Sequence, residues 1–93
     1  MATRLDNKRI VVIGAATGIG RAAAAAAIAE GARVVIGDFA AEAGARTAEE
    51  LGPDCRFVQC DVSDEASVKV LFEEAIAFLG GLDGLVNNAG LQK

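Results

Sequence analysis

Four short apolar runs alternate along the chain with three longer stretches that read as helices. Ile10 to Ile13 is unbroken and ends at Gly14, the pattern of a strand buried on both faces. Residues 19–30 are rich in helix formers, including the run Ala22 to Ala27, and Gly31 supplies a stop. Val34 to Ile36 forms a second buried strand that closes on Gly37 and Asp38. "AAEAGARTAEEL", residues 40–51, predicts a second helix stopped by Gly52 and Pro53. "CRFVQC", residues 55–60, predicts a third strand with partial alternation. Ser63 is the expected N-cap of a third helix, with Asp64 and Glu65 behind it suiting the helix dipole. Val68, Leu71, Phe72, Ala75, Ile76 and Leu79 recur along that helix at helical spacing, and Gly80 and Gly81 end it. "LDGLVNNAG", residues 82–90, supplies a fourth, shorter strand and a glycine turn.

Strands alternating with helices through short connections imply an α/β fold. Its sheet is parallel, with right-handed crossovers. There is no linker and no repeat beyond that alternation, so residues 1–93 are expected to form a single domain. A chain of this size buries about two thirds of its unfolded surface, enough for a modest core. Within a strand–helix–strand unit, the alanine run lets its helix lie close to the sheet.

Composition removes several functions. A net charge of -4 leaves no basic patch to neutralise phosphates, so nucleic acid is not an expected partner. No apolar stretch approaches the roughly 20 residues that span a bilayer, so no membrane association is expected. The opening "MATRLDNKR" lacks the apolar segment of a secretory signal. Cys55 and Cys60 are placed on one strand, roughly 16 Å apart at about 3.3 Å per residue, too far to bridge. The chain has no histidine, so these cysteines have no partners for a zinc site and no metal is expected. A cytoplasmic location is the expectation.

The chemistry is concentrated between the first two strands. A diphosphate needs donors at close range, and a helix N-terminus offers unpaired N–H groups with partial positive charge. Gly14 suits the turn out of the strand, Gly18 lets backbone approach a phosphate, and Gly20 permits close helix–strand packing. Thr17 adds a hydroxyl. Asp38 lies 18 residues beyond Gly20 at the end of the second strand, where an acid accepts hydrogen bonds from an adenosine ribose. A carboxylate there repels a 2′-phosphate, and neither Ala15, Ala16, Thr17 nor Phe39 is basic. Both features favour NAD over NADP. Each residue also has a plainer role: the glycines as a packing turn, Asp38 as a loop acid or cap, Asp61 as a helix-capping acid. Asn87 and Asn88 can likewise serve as turn residues. Arg21 reads as a helix-surface residue, and Lys8 and Arg9 as solvated ends of the first strand.

The G-x-x-x-G-x-G loop, Asp38, "DV" (Asp61, Val62) and "NNAG" (Asn87 to Gly90) together resemble the N-terminal part of a short-chain dehydrogenase/reductase. The resemblance runs over essentially the whole chain, and "NNAG" is its most discriminating piece. Ile13 departs from it, standing where members usually carry threonine. The resemblance implies a three-layer Rossmann-type half domain, a four-stranded parallel sheet of order 3-2-1-4 with helices on both faces. It implies that Gly14, Thr17, Gly18, Ile19 and Gly20 surround the pyrophosphate of NAD, and that Asp38 and Phe39 meet the adenosine. Asp61 and Val62 would border the adenine, with the Asp61 carboxylate bonded to its amino group. Asn88, Ala89 and Gly90 would line the cofactor's middle, whereas Asn87 would tie strands together.

The family's catalytic serine and its Tyr-x-x-x-Lys pair have no counterpart here, and the chain contains no tyrosine. No catalytic residue is therefore assigned, and the chain is read as a truncated NAD(H)-binding segment. The implied strand order leaves the fourth strand at an edge, so self-association into a homo-oligomer is expected. The alternative is a non-catalytic Rossmann module that assembles through that edge. An S-adenosylmethionine methyltransferase is a weaker rival, disfavoured by "NNAG" and by the glycine spacing.

Overall fold

The computed structural model describes residues 7–14 and 18–87. Each apolar run becomes a strand: β1 (Arg9–Ile13), β2 (Arg33–Asp38), β3 (Cys55–Gln59) and β4 (Gly84–Asn87). Between them lie α1 (Gly18–Ala29), α2 (Ala41–Leu51) and α3 (Glu65–Leu79). The strands form one parallel sheet in the order β3-β2-β1-β4, as the resemblance implied.

The pleat divides the core into two halves. Val11, Ile13 and Val35 point to one face, where they pack with Leu71, Ala75 and Leu79 of α3. Val12, Val34 and Ile36 point to the other and pack with Ala24 and Ala27 of α1, with Ala48 and Leu51 of α2 alongside. A strand covered on both faces reads as an unbroken apolar run, and this is why β1 and β2 show no alternation. Gly20, Ala24 and Ala27 are the buried positions of α1. Their spacing of four and three residues makes them one stripe, and their small size brings the helix close to the sheet. Close approach also governs α2, where a Cβ on Gly44 would sit 2.0 Å from Cε1 of Phe57.

Several expectations are corrected. The N-cap of α3 is Asp64, whose side chain accepts from the Ala66 N–H, and not Ser63. The Ser63 hydroxyl is already committed to Asp61. β3 stops at Gln59, one residue short of Cys60, and α1 begins and ends one residue earlier than its composition suggests. The cysteines are buried free thiols in opposite halves of the core, and burial pushes the Cys55 thiol up to about 11.

Arg9 is a partly exposed strand end, as expected, but it is also paired. Its Nε and Nη2 donate to the two carboxylate oxygens of Asp83, at 2.8 and 3.1 Å. Its backbone N–H also reaches Oδ2, and its Nη1 donates to the Gly80 carbonyl. Asp83 N–H in turn donates to the Arg9 carbonyl at 2.7 Å. This double latch fixes β4 against β1 at the amino end of the sheet. The guanidinium, hydrogen-bonded to it, holds the Asp83 carboxyl down at about 2. The latch therefore contributes in full above the ordinary carboxylate range and is lost as pH falls through about 2. Nearby, Arg33 stacks on Phe78 with its guanidinium carbon 4.6 Å from the ring centroid, and donates to the Phe78 carbonyl. These arginines anchor the end of α3 and leave the opposite, carboxyl end of the sheet for other work.

Candidate functional site

The carboxyl ends of β1, β2 and β3 lie side by side. Gly14 N–H donates to the Gly37 carbonyl at 2.7 Å, and Cys60 N–H donates to the Asp38 carbonyl at 3.0 Å. These bonds place Gly14 beside the Gly37–Asp38 end of β2, and Asp38 beside the Cys60–Asp61 segment. Gly14, Gly18, Ile19, Gly20, Asp38, Phe39, Asp61 and Val62 thus fall on one edge. Thr17, Asn88, Ala89 and Gly90, with Ala15 and Ala16, lie outside the described residues.

The backbone of the turn has a glycine's geometry. Gly14 has φ of 83° and Gly18 of 65°, values that L side chains adopt only with strain. A Cβ built on Gly18 would meet nothing within 4 Å. Packing among the described residues therefore does not demand glycine there; the backbone conformation does. Gly20 is buried in the first turn of α1. That turn carries no acidic side chain, so the helix keeps its own positive end. Arg21 reaches across to pair with Glu50, consistent with a helix-surface role.

Asp38 ends β2 half-buried, and its Oδ1 accepts from Ala40 N–H at 2.9 Å. That bond substitutes for a side-chain cap on α2, whose N-cap, Ala40, has none. Phe39 follows, 68% exposed; Ile19 is 76% exposed and Val62 53%. Among the described residues five other large apolar side chains are likewise exposed: Val70, Ile76, Leu82, Leu85 and Val86.

Asp61 sits in a turn just beyond β3. Its Oδ1 accepts from Ser63 N–H at 3.0 Å and from Ser63 Oγ at 2.6 Å. These two donors hold its carboxyl below the usual carboxylate range, so it is a charged acceptor at neutral pH. Three residues support this edge in roles the sequence did not assign to them. Gln59 Nε2 donates to the Phe39 carbonyl at 3.1 Å, Ser67 Oγ accepts from Asp61 N–H at 2.9 Å, and Ser63 orients the carboxylate. The Asp–x–Ser spacing at 61–63 was the readable clue to Ser63. Among the described residues no group of three His, Cys, Asp or Glu side chains is placed to hold a metal, and no helix is long and apolar enough to cross a membrane.

The family model for short chain dehydrogenases matches residues 8–93. The chain belongs to that family. Within it, a (+)-cis,trans-nepetalactol synthase of Nepeta racemosa is 44% identical over 92 residues, covering 98% of this chain and 34% of the relative. A sorbitol dehydrogenase of Cereibacter sphaeroides is 47% identical over 88 residues, covering 95% and 34%. Among solved structures, a 3-ketoacyl-(acyl-carrier-protein) reductase from Brucella melitensis complexed with NADH superposes with a TM-score of 0.86. It shares 34% identity and is matched over 87% of this chain and 33% of its own. The chain thus spans about a third of the length of these members of the short-chain dehydrogenase family. Their differing names show that membership does not fix a substrate.

Proposed function

We propose that this chain is the NAD(H)-binding segment of a short-chain dehydrogenase/reductase-type oxidoreductase, and that it is not catalytically competent alone. One observation carries the reading. At the carboxyl end of the sheet, Gly14, in a left-handed conformation, bonds to the Gly37 carbonyl next to the half-buried carboxylate of Asp38 that ends the neighbouring strand. A Cβ at Gly18 would fill the cradle that a diphosphate enters, and the adjacent start of α1 aims N–H groups into it.

In this reading Gly14, Thr17, Gly18, Ile19 and Gly20 hold the pyrophosphate and Asp38 binds the adenosine ribose. Phe39 and Val62 flank the adenine, and Asp61 accepts from its amino group. Asn88, Ala89 and Gly90 lie along the middle of the cofactor. When bound, NAD supplies a hydride acceptor, and NADH a donor, for a carbonyl or hydroxyl substrate. This chain's residues bind and orient the cofactor; its sequence has no tyrosine or histidine to move the accompanying proton. The NADH in the Brucella melitensis reductase supports a nicotinamide cofactor, and Asp38 supports the choice of NAD.

Calorimetric titration with NAD and NADP tests this. NAD is expected to bind at least about tenfold more tightly than NADP, since a 2′-phosphate would meet the Asp38 carboxylate. Asp38→Ala is expected to erase that preference. Equal affinities in the unmodified chain, or no binding of either, would overturn the role given to Asp38.

The second reading, a module that self-assembles, is supported by Leu85 and Val86 of β4, which are 50% and 41% exposed on a strand at the sheet's edge. It expects a symmetric oligomer by sedimentation at tens of micromolar, with negligible NAD affinity. A compact monomer under those conditions removes it.

A further inference from the structure

Asp61 is held at more points than a turn residue needs. Its N–H donates to Ser67 Oγ in the first turn of α3. Its carbonyl accepts from Asp64 N–H at 3.0 Å, and Oδ1 takes both donors of Ser63. Backbone and one carboxylate oxygen are thereby fixed to the start of α3, which Asp64 caps. No donor among the described residues reaches Oδ2. The result is a charged acceptor with one oxygen anchored and the other without a donor among the described residues.

Such an oxygen distinguishes purines. Adenine presents an amino donor at its six position, whereas hypoxanthine presents a carbonyl acceptor there and carries a donor on the neighbouring ring nitrogen. A carboxylate free to swing can follow the donor from one position to the other and bind both bases. A carboxylate locked through Oδ1 cannot follow it, and meets the carbonyl of hypoxanthine acceptor to acceptor.

We propose that Ser63 and Ser67 are positioning residues that lock Asp61, so that its second oxygen accepts from an adenine amino group and rejects a hypoxanthine. The inference rests on the reading of this edge as an NAD site, and goes beyond it by assigning base selectivity to two serines that need not touch the ligand. Ser63 acts on the carboxylate directly. Ser67 acts one bond further back, by holding the peptide N–H from which the side chain hangs.

The test is calorimetric titration of the full chain with NAD and with nicotinamide hypoxanthine dinucleotide. The unmodified chain is expected to bind NAD about tenfold more tightly, the worth of one hydrogen bond to a charged acceptor. Ser63→Ala and Ser67→Ala are each expected to cut that ratio by about threefold or more, and Ser63→Thr, which keeps the hydroxyl, to restore it. A second readout needs no nucleotide: in a carboxyl-carbon NMR titration, Ser63→Ala should move the Asp61 midpoint up towards that of an ordinary carboxylate. If the unmodified chain prefers NAD but both alanine variants keep its full ratio, the locking role is wrong and the NAD reading stands. If the unmodified chain binds both dinucleotides equally, Asp61 does not read the base and the proposal falls. If it binds neither, the NAD reading fails and takes the proposal with it.

Discussion

Gly18→Ala is expected to weaken NAD binding by about 10- to 100-fold while costing only about 1–2 kcal/mol of stability. The two effects separate because of where the new methyl goes. At φ of 65° a side chain is strained, and that strain is the whole stability cost, since the methyl touches nothing within 4 Å. The same empty space is where the proposed diphosphate approaches the amides of α1. A methyl there holds the phosphate off the N–H donors and weakens hydrogen bonds that depend on short distance. Gly80 provides a control. It too has positive φ, 84°, with nothing within 4 Å among the described residues, but it follows α3 at the opposite end of the sheet. Gly80→Ala should carry strain of the same kind and leave NAD affinity unchanged. Equal losses of affinity in the two variants would mean that destabilisation, not obstruction, is being measured.

The second large effect is on stability. Leu71→Ala is expected to cost about 2–5 kcal/mol, a large share of the roughly 5–15 kcal/mol that holds a small domain together. Leu71 is fully buried and packs in the α3 half of the core with Val11, Val35 and Val58. Its methyls also lie directly under Gly37: a Cβ there would be 2.9 Å from Cδ2 and 3.1 Å from Cδ1. This contact makes a double-mutant cycle decisive. Gly37→Ala alone overpacks the site and should cost about 1–3 kcal/mol. In the Leu71→Ala background the same methyl enters the space just vacated, so the double variant should be more stable than the sum of the single losses predicts. Urea unfolding midpoints at constant slope give all the terms. Additive losses would show that Leu71 and Gly37 do not share that space.

Most of the framework was legible because it is written in local patterns. Unbroken runs such as Val34 to Ile36 declared strands buried on both faces, and Gly31, Gly52 and Gly80 marked helix ends. The strand order came from the resemblance carried by the glycine loop, Asp38 and "NNAG", not from periodicity, and the sheet bears it out. What local pattern hides is the partner far away in sequence. The pairing of Arg9 was hidden because Asp83 lies 74 positions along the chain. Gly44 passed for an ordinary helix residue because the ring that excludes a side chain there, Phe57, belongs to β3. At 61–67 the difficulty was competition among neighbours. Ser63 and Asp64 are both good caps, and the choice fell to Asp64 once Ser63 had bonded to Asp61. Within the proposed site, the identity of Asp38 and Asp61 was readable. The supporting role of Gln59 was not, because it depends on which strand ends meet.

The central claim is that a dinucleotide binds across the carboxyl ends of β1, β2 and β3. Mapping backbone amide shifts by NMR while NAD is added tests it most directly. The expected perturbations centre on Gly14, Gly18, Ile19 and Gly20, and extend through Asp38 and Phe39 to Asp61 and Val62. Perturbations centred instead on Arg9, Arg33 and Phe78 at the other end of the sheet, or none at saturating NAD, would contradict it.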